Sequence, residues 1–309
     1  MYTKISTTNM ERKEWLRKRK EGIGGSDAGA ICGLNPYVSP LRVYQDKTSS
    51  EIPEYDNEAM RQGRELEDYV AKRFMEAAGC KVRRSNAMYQ STEYPFMLAD
   101  VDRLVVGEDA GLECKTASAF QADQWKNGKI PPHYLIQCLH YMAVTGRTSW
   151  YLAVIILGRE FRYIKIARDE SMIKNLIAIE REFWEEHVIP GILPDPDGSS
   201  VCDEIIRAFY PRADRKEILL PSEFNPDLKR REEIIKLLEK LEMEKSQIEQ
   251  KLKLFLGDCE MAQNSSYQIS WSNVDSIRLD GKRLKEEYPE LYQQFSRTSH
   301  SRRFAVRVA

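Results

Sequence analysis

Residues 150–157, Trp-Tyr-Leu-Ala-Val-Ile-Ile-Leu, are apolar at every position, and no other stretch narrows the fold as much. A strand with one wet face alternates apolar and polar side chains, so an unbroken run fits a strand covered on both faces. Gly158-Arg159 then offers a tight turn into residues 161–166, a second strand candidate. Covering both faces takes helices on both sides, and the chain supplies them. Met60, Leu66, Val70, Phe74 and Ala77/Ala78 recur at helical spacing over residues 58–78, before Gly79. Residues 118–128, 132–144 and 169–187 read as further helices, the second opened by Pro131 and Pro132. Short strands are expected at 81–84, 87–89, 96–106 and 112–116. The predicted architecture is α/β, a mixed central sheet flanked by helices.

A change in composition follows. Residues 189–200 are rich in Pro, Gly and Ser, so the first domain is drawn at 1–198 and an accessory region at 199–309. Within that region Ile234, Leu238, Leu241, Ile248, Leu252 and Phe255 recur in steps of three and four, interrupted by Lys245, as in a coiled-coil seam or a helical hairpin face. Residues 280–295 read as another helix. Residues 267–271, 276–279 and the alternating Phe304, Val306, Val308 suggest a small antiparallel sheet.

With 47 basic and 48 acidic residues, contact with nucleic acid has to come from local patches and metal sites, not from a global field. The basic stretch at residues 10–20, with Arg12, Lys13, Arg17, Lys18, Arg19 and Lys20, is one such patch. Six cysteines without a Cys-x-x-Cys pair and four scattered histidines suggest neither a zinc nor an iron–sulfur cluster. Without a leading apolar run or a long apolar stretch, the expectation is a cytoplasmic protein with reduced thiols and no membrane partner.

The chemistry concentrates where Asp102 is followed by Arg-Leu-Val-Val, a turn at Gly107, and Glu113-x-Lys115. Side chains on a strand alternate, so Glu113 and Lys115 share one face while Leu112 and Cys114 take the other. If Asp102 reaches the same face from a partner strand, two carboxylates make a hard-oxygen site for Mg²⁺ or Mn²⁺ with an ammonium beside it. Such a site suits phosphodiester hydrolysis. Acid-x-Lys also recurs at Glu11/Lys13 and Asp214/Lys216, so spacing alone leaves open a solvated hairpin with cross-strand ion pairs. In the glycine-rich joint at residues 22–28, Ser26 or Asp27 is a natural N-cap for a following helix, whose free N–H groups suit an anion.

Four pieces occur together in one order: Arg19 with Gly24-Gly25-Ser26-Asp27, Gly63-x-x-x-Glu67, Asp102 with Glu113-x-Lys115, and Gln137-x-x-x-Tyr141. This combination resembles the phage lambda exonuclease-like, or YqaJ-type viral recombinase, family of the PD-(D/E)xK nuclease superfamily, over about residues 11–168. The resemblance implies that Asp102, Glu113 and the main-chain carbonyl of Cys114 hold Mg²⁺, with Mn²⁺ as a substitute. It implies Glu67 completing the metal shell through water, Lys115 at the nucleophilic water, and Gln137 as a catalytic neighbour. Arg19 and Ser26 would grip a 5′-phosphate, and Tyr141 would contact the DNA. Asp100-Val101-Asp102-Arg103 departs from the more usual Pro-Asp-Gly, and on a regular strand Asp100 would share the face of Asp102. The expected activity is 5′→3′ exonucleolytic resection of double-stranded DNA ends in phage-type recombination. Alternatives are an endonuclease of the same superfamily and a non-catalytic DNA-binding recombination scaffold. A single-strand annealing protein as partner, a trimeric homo-oligomer, and the cytoplasm of a bacterium or phage-infected host complete what the resemblance implies.

Overall fold

A computed structural model describes residues 1–51, 57–214 and 216–307, and the chain divides into two units, Met1–Tyr210 and Pro211–Ala309. The first unit begins with β1 (Tyr2–Ser6), α1 (Arg12–Lys20), α2 (Gly25–Ile31), α3 (Pro40–Thr48) and the long α4 (Glu58–Ala78). There follow β2 (Val82–Arg84), β3 (Ala87–Ser91), β4 (Leu98–Asp100), β5 (Arg103–Val105) and β6 (Ala110–Ala117). A 3-10 segment (Ala119–Gly128) leads into α5 (Pro132–Thr145), β7 (Ser149–Ile156), β8 (Glu160–Ala167), α6 (Glu170–Phe183) and α7 (Ser200–Phe209).

The central sheet runs β2-β5-β6-β7-β8, with β6 and β7 parallel and the other neighbours antiparallel. β7 is the uninterrupted apolar run, and the reason is visible in its packing. Trp150, Leu152, Val154 and Ile156 join the large core with Leu139 and Met142 of α5 and Ile173 of α6. Ala153, with Leu112 of β6, joins a smaller core against Val70, Ala71 and Phe74 of α4. Both faces are covered, as predicted. α4 starts where the Asn57 side chain accepts the Met60 N–H at 2.8 Å and stops at Gly79, whose φ of 66° a side chain would disfavour. Phe74 is fully buried, and truncation to Ala would cost about 3–5 kcal/mol.

Several local expectations change. The strand expected over 96–106 splits: β4 pairs with β3 in a separate sheet ordered β1-β3-β4, and β5 pairs in the central sheet. The chain changes sheets at Val101 and Asp102. Residues 118–128 form 3-10 turns broken at Lys126 and Asn127, not an α-helix. β1, α3 and α7 lie outside the expected elements. Because α7 sinks Cys202 and Ile205 into the large core, the first unit extends to Tyr210, past the Pro-rich stretch that suggested residue 198.

In the second unit α8 (Asn225–Leu256) is one continuous helix of 32 residues, so the periodic stripe belongs to a single rod and not to a helical hairpin. Its Leu238, Leu241, Ile248 and Phe255 are exposed. β9 (Met261–Gln263) and β10 (Gln268–Ser270) form an antiparallel hairpin. Two short helices, α9 (Gly281–Glu287) and α10 (Pro289–Phe295), replace the single one expected, because Pro289 opens a new first turn. Residues 276–279, Phe304 and Val306 form no strand, and Val308 lies outside the described residues. Among the described residues no helix is long and apolar enough to cross a membrane.

Candidate active site

The β5–β6 hairpin does the positioning. Arg103 pairs with Leu112 and Leu104 with Gly111, which sets Asp102, the residue before β5, level with Glu113. Alternation along β6 sends Leu112 and Cys114 toward α4 and leaves Glu113 and Lys115 facing α5. Asp102 Oδ2 accepts the Cys114 main-chain N–H at 2.8 Å. Lys115 Nζ lies 2.6 Å from Glu113 Oε1 and 4.8 Å from the centre of the Tyr134 ring. Gln137 Nε2 donates to Glu113 Oε1 and to Tyr141 Oη, each at 2.8 Å. Asp102, Glu113, Lys115, Gln137 and Tyr141 therefore converge.

Burial is the dominant force on the acids. It pushes Asp102 well above the usual carboxylate range, helped by the charges of Glu113 and Glu67. It also raises Glu113, which Lys115 draws back only in part. For Lys115, burial opposes the charged form, but Glu113 and Asp102 outweigh it and hold the ammonium protonated. In this arrangement Lys115 is a donor and a positive charge. Glu113 is 3% exposed; among the described residues its Oε2 meets no N–H or hydroxyl donor, and Asp102 is near enough for the two carboxyls to share a proton. Two crowded buried carboxyls, each pushed toward its protonated form, suit a hard divalent cation that would take the protons' place.

Glu67 is near enough for its charge to act on Asp102 and Glu113, but its side chain is engaged by Arg103. Its Oε1 sits 2.5 Å from Nη1 of Arg103, whose Nη2 is 2.5 Å from Asp68 Oδ1, and Nη1 also donates to the Asp102 main-chain oxygen at 2.6 Å. Among the described residues no group of three or more His, Cys, Asp or Glu is placed to hold a metal ion. The side chains that could hold an ion directly are Asp102 and Glu113, with a main-chain oxygen such as that of Cys114, and Glu67 could reach it only through water. Arg103, 5% exposed, went unrecognised in the sequence, although it stands where the resembling pattern carries glycine.

A cleft of about 130 Å³ lies alongside, lined by Trp15, Arg19, Gly25, Ser26, Asp100 and Tyr141 among others. Arg19 Nη2 donates to Ser26 Oγ at 3.0 Å, and the guanidinium lies 4.8 Å over the Trp15 ring. A Cβ on Gly25 would come within 2.5 Å of the Tyr141 ring, so only glycine lets α2 approach α5 here. Asp100 accepts the Trp15 indole N–H at 2.6 Å. It belongs to β4 in the other sheet, so the regular-strand argument that set it on the face of Asp102 fails. Burial raises its carboxyl, against Trp15 and Arg19. Neither Ser26 nor Asp27 is the N-cap: Gly24 is, and Asp27 reaches back to accept the Gly24 N–H at 2.9 Å. Asp27 also pairs at 2.6 Å with the buried Lys47, which donates to the Arg19 carbonyl at 2.9 Å. No periodicity announced Lys47.

Among solved structures, the chain is similar to an alkaline exonuclease of Laribacter hongkongensis, at 21% identity over 56% of this chain and 91% of that one, with a TM-score of 0.48. A phage-related exonuclease of Haemophilus somnus 129PT matches at 14% identity, over 60% of this chain and 95% of that one, with a TM-score of 0.40. The sequence comparisons reach much further. Uncharacterized protein YqaJ of Bacillus subtilis (strain 168) is 37% identical over 304 residues, 97% of this chain and 95% of the relative. Residues 14–148, which hold Arg19, Ser26, Glu67, Asp102, Glu113, Lys115, Gln137 and Tyr141, match the YqaJ-like viral recombinase domain, and the chain belongs to that family.

Proposed function

We propose that the chain is a Mg²⁺-dependent deoxyribonuclease that digests double-stranded DNA ends from 5′ to 3′, as in phage-type recombination. The observation that supports this reading is the buried Asp102–Glu113 pair, whose Glu113 Oε2 meets no N–H or hydroxyl donor among the described residues, set 2.6 Å from the Lys115 ammonium. Asp102, Glu113 and main-chain oxygen would hold the ion, Mg²⁺ or Mn²⁺, which when bound supplies an acidified water and offsets charge on the phosphoryl oxygens.

The remaining steps belong to the chain. Gln137 fixes Glu113 by donating to Oε1, so the carboxylate keeps Oε2 turned to the site. Lys115 holds positive charge where a phosphate would crowd against two carboxylates. Arg103 pairs with Glu67 and ties the Asp102 backbone, offsetting part of the third negative charge at the corner. Arg19, whose guanidinium already meets a hydroxyl at Ser26, offers a fork suited to a terminal phosphate. Tyr141 lines that cleft and shares Gln137 with Glu113, so a strand end held at Arg19 would lie next to the acids.

A closed-circular duplex and a linear duplex with and without 5′-phosphates, each in Mg²⁺, Mn²⁺ and EDTA, test the proposal. Only the linear form should be digested, faster with the phosphate and not in EDTA. Brisk cutting of the closed circle would favour the endonuclease, and silence in both metals would favour the DNA-binding scaffold.

A further inference from the structure

The unit Pro211–Ala309 carries a second concave surface for which the proposed chemistry has no use. Residues 211–213 and 299–303, far apart in sequence, border a cavity of about 730 Å³. Arg212, His300, Arg302 and Arg303 line it, together with the hydroxyl residues Ser299 and Ser301, and among the described residues no Asp or Glu does. Residues 297–307 hold four arginines and no carboxylate, in a chain whose net charge is −1. The positive charge is therefore a local concentration. Guanidinium forks interspersed with hydroxyls match successive phosphates better than they match one small anion. In sequence, Phe295 and Phe304 flank residues 299–303 and are exposed, 78% and 84%, and exposed aromatic rings in a cationic segment suit bases that are free to unstack. A duplex offers no such bases, whereas a single strand does.

We infer that this cavity binds the backbone of single-stranded DNA, an inference that leans on the nuclease reading only for the nature of the strand. The test is equilibrium binding of a labelled oligothymidylate to the full chain, in EDTA so that nothing is cut, across about 50–200 mM salt. In Arg212→Ala/Arg303→Ala the affinity should fall about tenfold at the lowest salt. The slope of log K against log salt should shrink by roughly 1.4, two lost contacts at about 0.7 each. Arg212→Lys/Arg303→Lys, which keeps the charge, should keep most of the slope. Unchanged affinity and slope in the alanine variant would overturn the inference. So would equal competition by a duplex carrying the same number of phosphates, or loss of binding to phosphatidylserine vesicles with DNA binding intact. Digestion of a duplex in Mg²⁺ is scored separately. An unaltered slope in a chain that still cuts sinks the cavity alone, and a reduced slope in a chain that never cuts sinks the nuclease alone.

Discussion

Glu113 and Glu180 are both buried in the first unit, burial raises both carboxyls, and among the described residues neither Oε2 meets an N–H or hydroxyl donor. Their company differs. Glu180 Oε1 lies 2.7 Å from Nδ1 of His140, and His140 Nε2 lies 2.8 Å from the Leu98 carbonyl oxygen. A carbonyl only accepts, so Nε2 carries a proton and one more lies between Nδ1 and Oε1. Both shifts point upward, and the imidazole's is the firmer because its second nitrogen is committed as a donor. Burial opposes its charge, but Glu180 and the carbonyl outweigh it. One acid balances one base, and the pair ties α6 to α5 and β4. Around Glu113 there are instead two further carboxylates, Asp102 and Glu67, with Lys115 and, one step removed, Arg103. Folding alone gives no reason to crowd acids in this way. A balanced buried pair is explained as a clamp, and an unbalanced one asks for a ligand.

The sharpest way to break the contrast is to neutralise each glutamate. Glu113→Gln should lower DNA digestion by at least about a thousandfold, roughly 4 kcal/mol of barrier, while the unfolding midpoint holds or rises because a strained acid is gone. A variant that digests at the parental rate would empty the corner of its role. Glu180→Gln should act through stability. It leaves His140 without its countercharge, and urea unfolding should show a loss of about 3 kcal/mol. Parental stability in that variant would remove the clamp.

A third substitution asks whether Arg103 is what keeps Glu67 out of the donor set. Arg103→Met releases Glu67 into a partly buried site with no partner, at a cost of about 2 kcal/mol in the metal-free chain. Mg²⁺ should then restore more stability to the variant than it adds to the parent, because a third carboxylate has become available. Equal gains on titrating Mg²⁺ during thermal unfolding would show that Arg103 serves packing alone.

What the sequence disclosed follows from the range of each interaction. Glu113 and Lys115 were legible because strand alternation is local, and Gln137 with Tyr141 because four residues make one helical turn. The covered strand at residues 150–157 needed nothing beyond its own composition. The relations that went unread are distant ones. Arg103 meets Glu67 across 36 positions, His140 meets Glu180 across 40, and Trp15 meets Asp100 across 85. Asp100 misled because two residues, Val101 and Asp102, carry the chain from one sheet to another, and alternation holds only within a strand. α7 was hidden behind a Pro-rich stretch that marks a surface crossing and not a domain boundary.

The smallest effect separates the two buried sites by pH. Asp102 and Glu113 have folded-state pKa values above their ordinary 3.8 and 4.5, so the folded chain binds more protons than the unfolded one just above those values. Their contribution is most favourable at low pH and is lost as pH rises through the folded-state values. His140, raised above 6.5, likewise contributes fully below that value and loses its contribution as pH rises through its folded-state pKa. Proton titration alone therefore moves both sites in one direction. On the proposed reading Mg²⁺ would tell them apart, because it would replace the missing protons at the two carboxylates and do nothing for an imidazole sealed against Leu98. At about tenfold excess over its Kd, Mg²⁺ should raise the midpoint by roughly 4 °C near pH 8 and by much less near pH 5. In Asp102→Asn the gain should vanish at both. A gain in the parent that is equal at the two pH values would mean that the ion binds where no proton competes, away from Asp102 and Glu113.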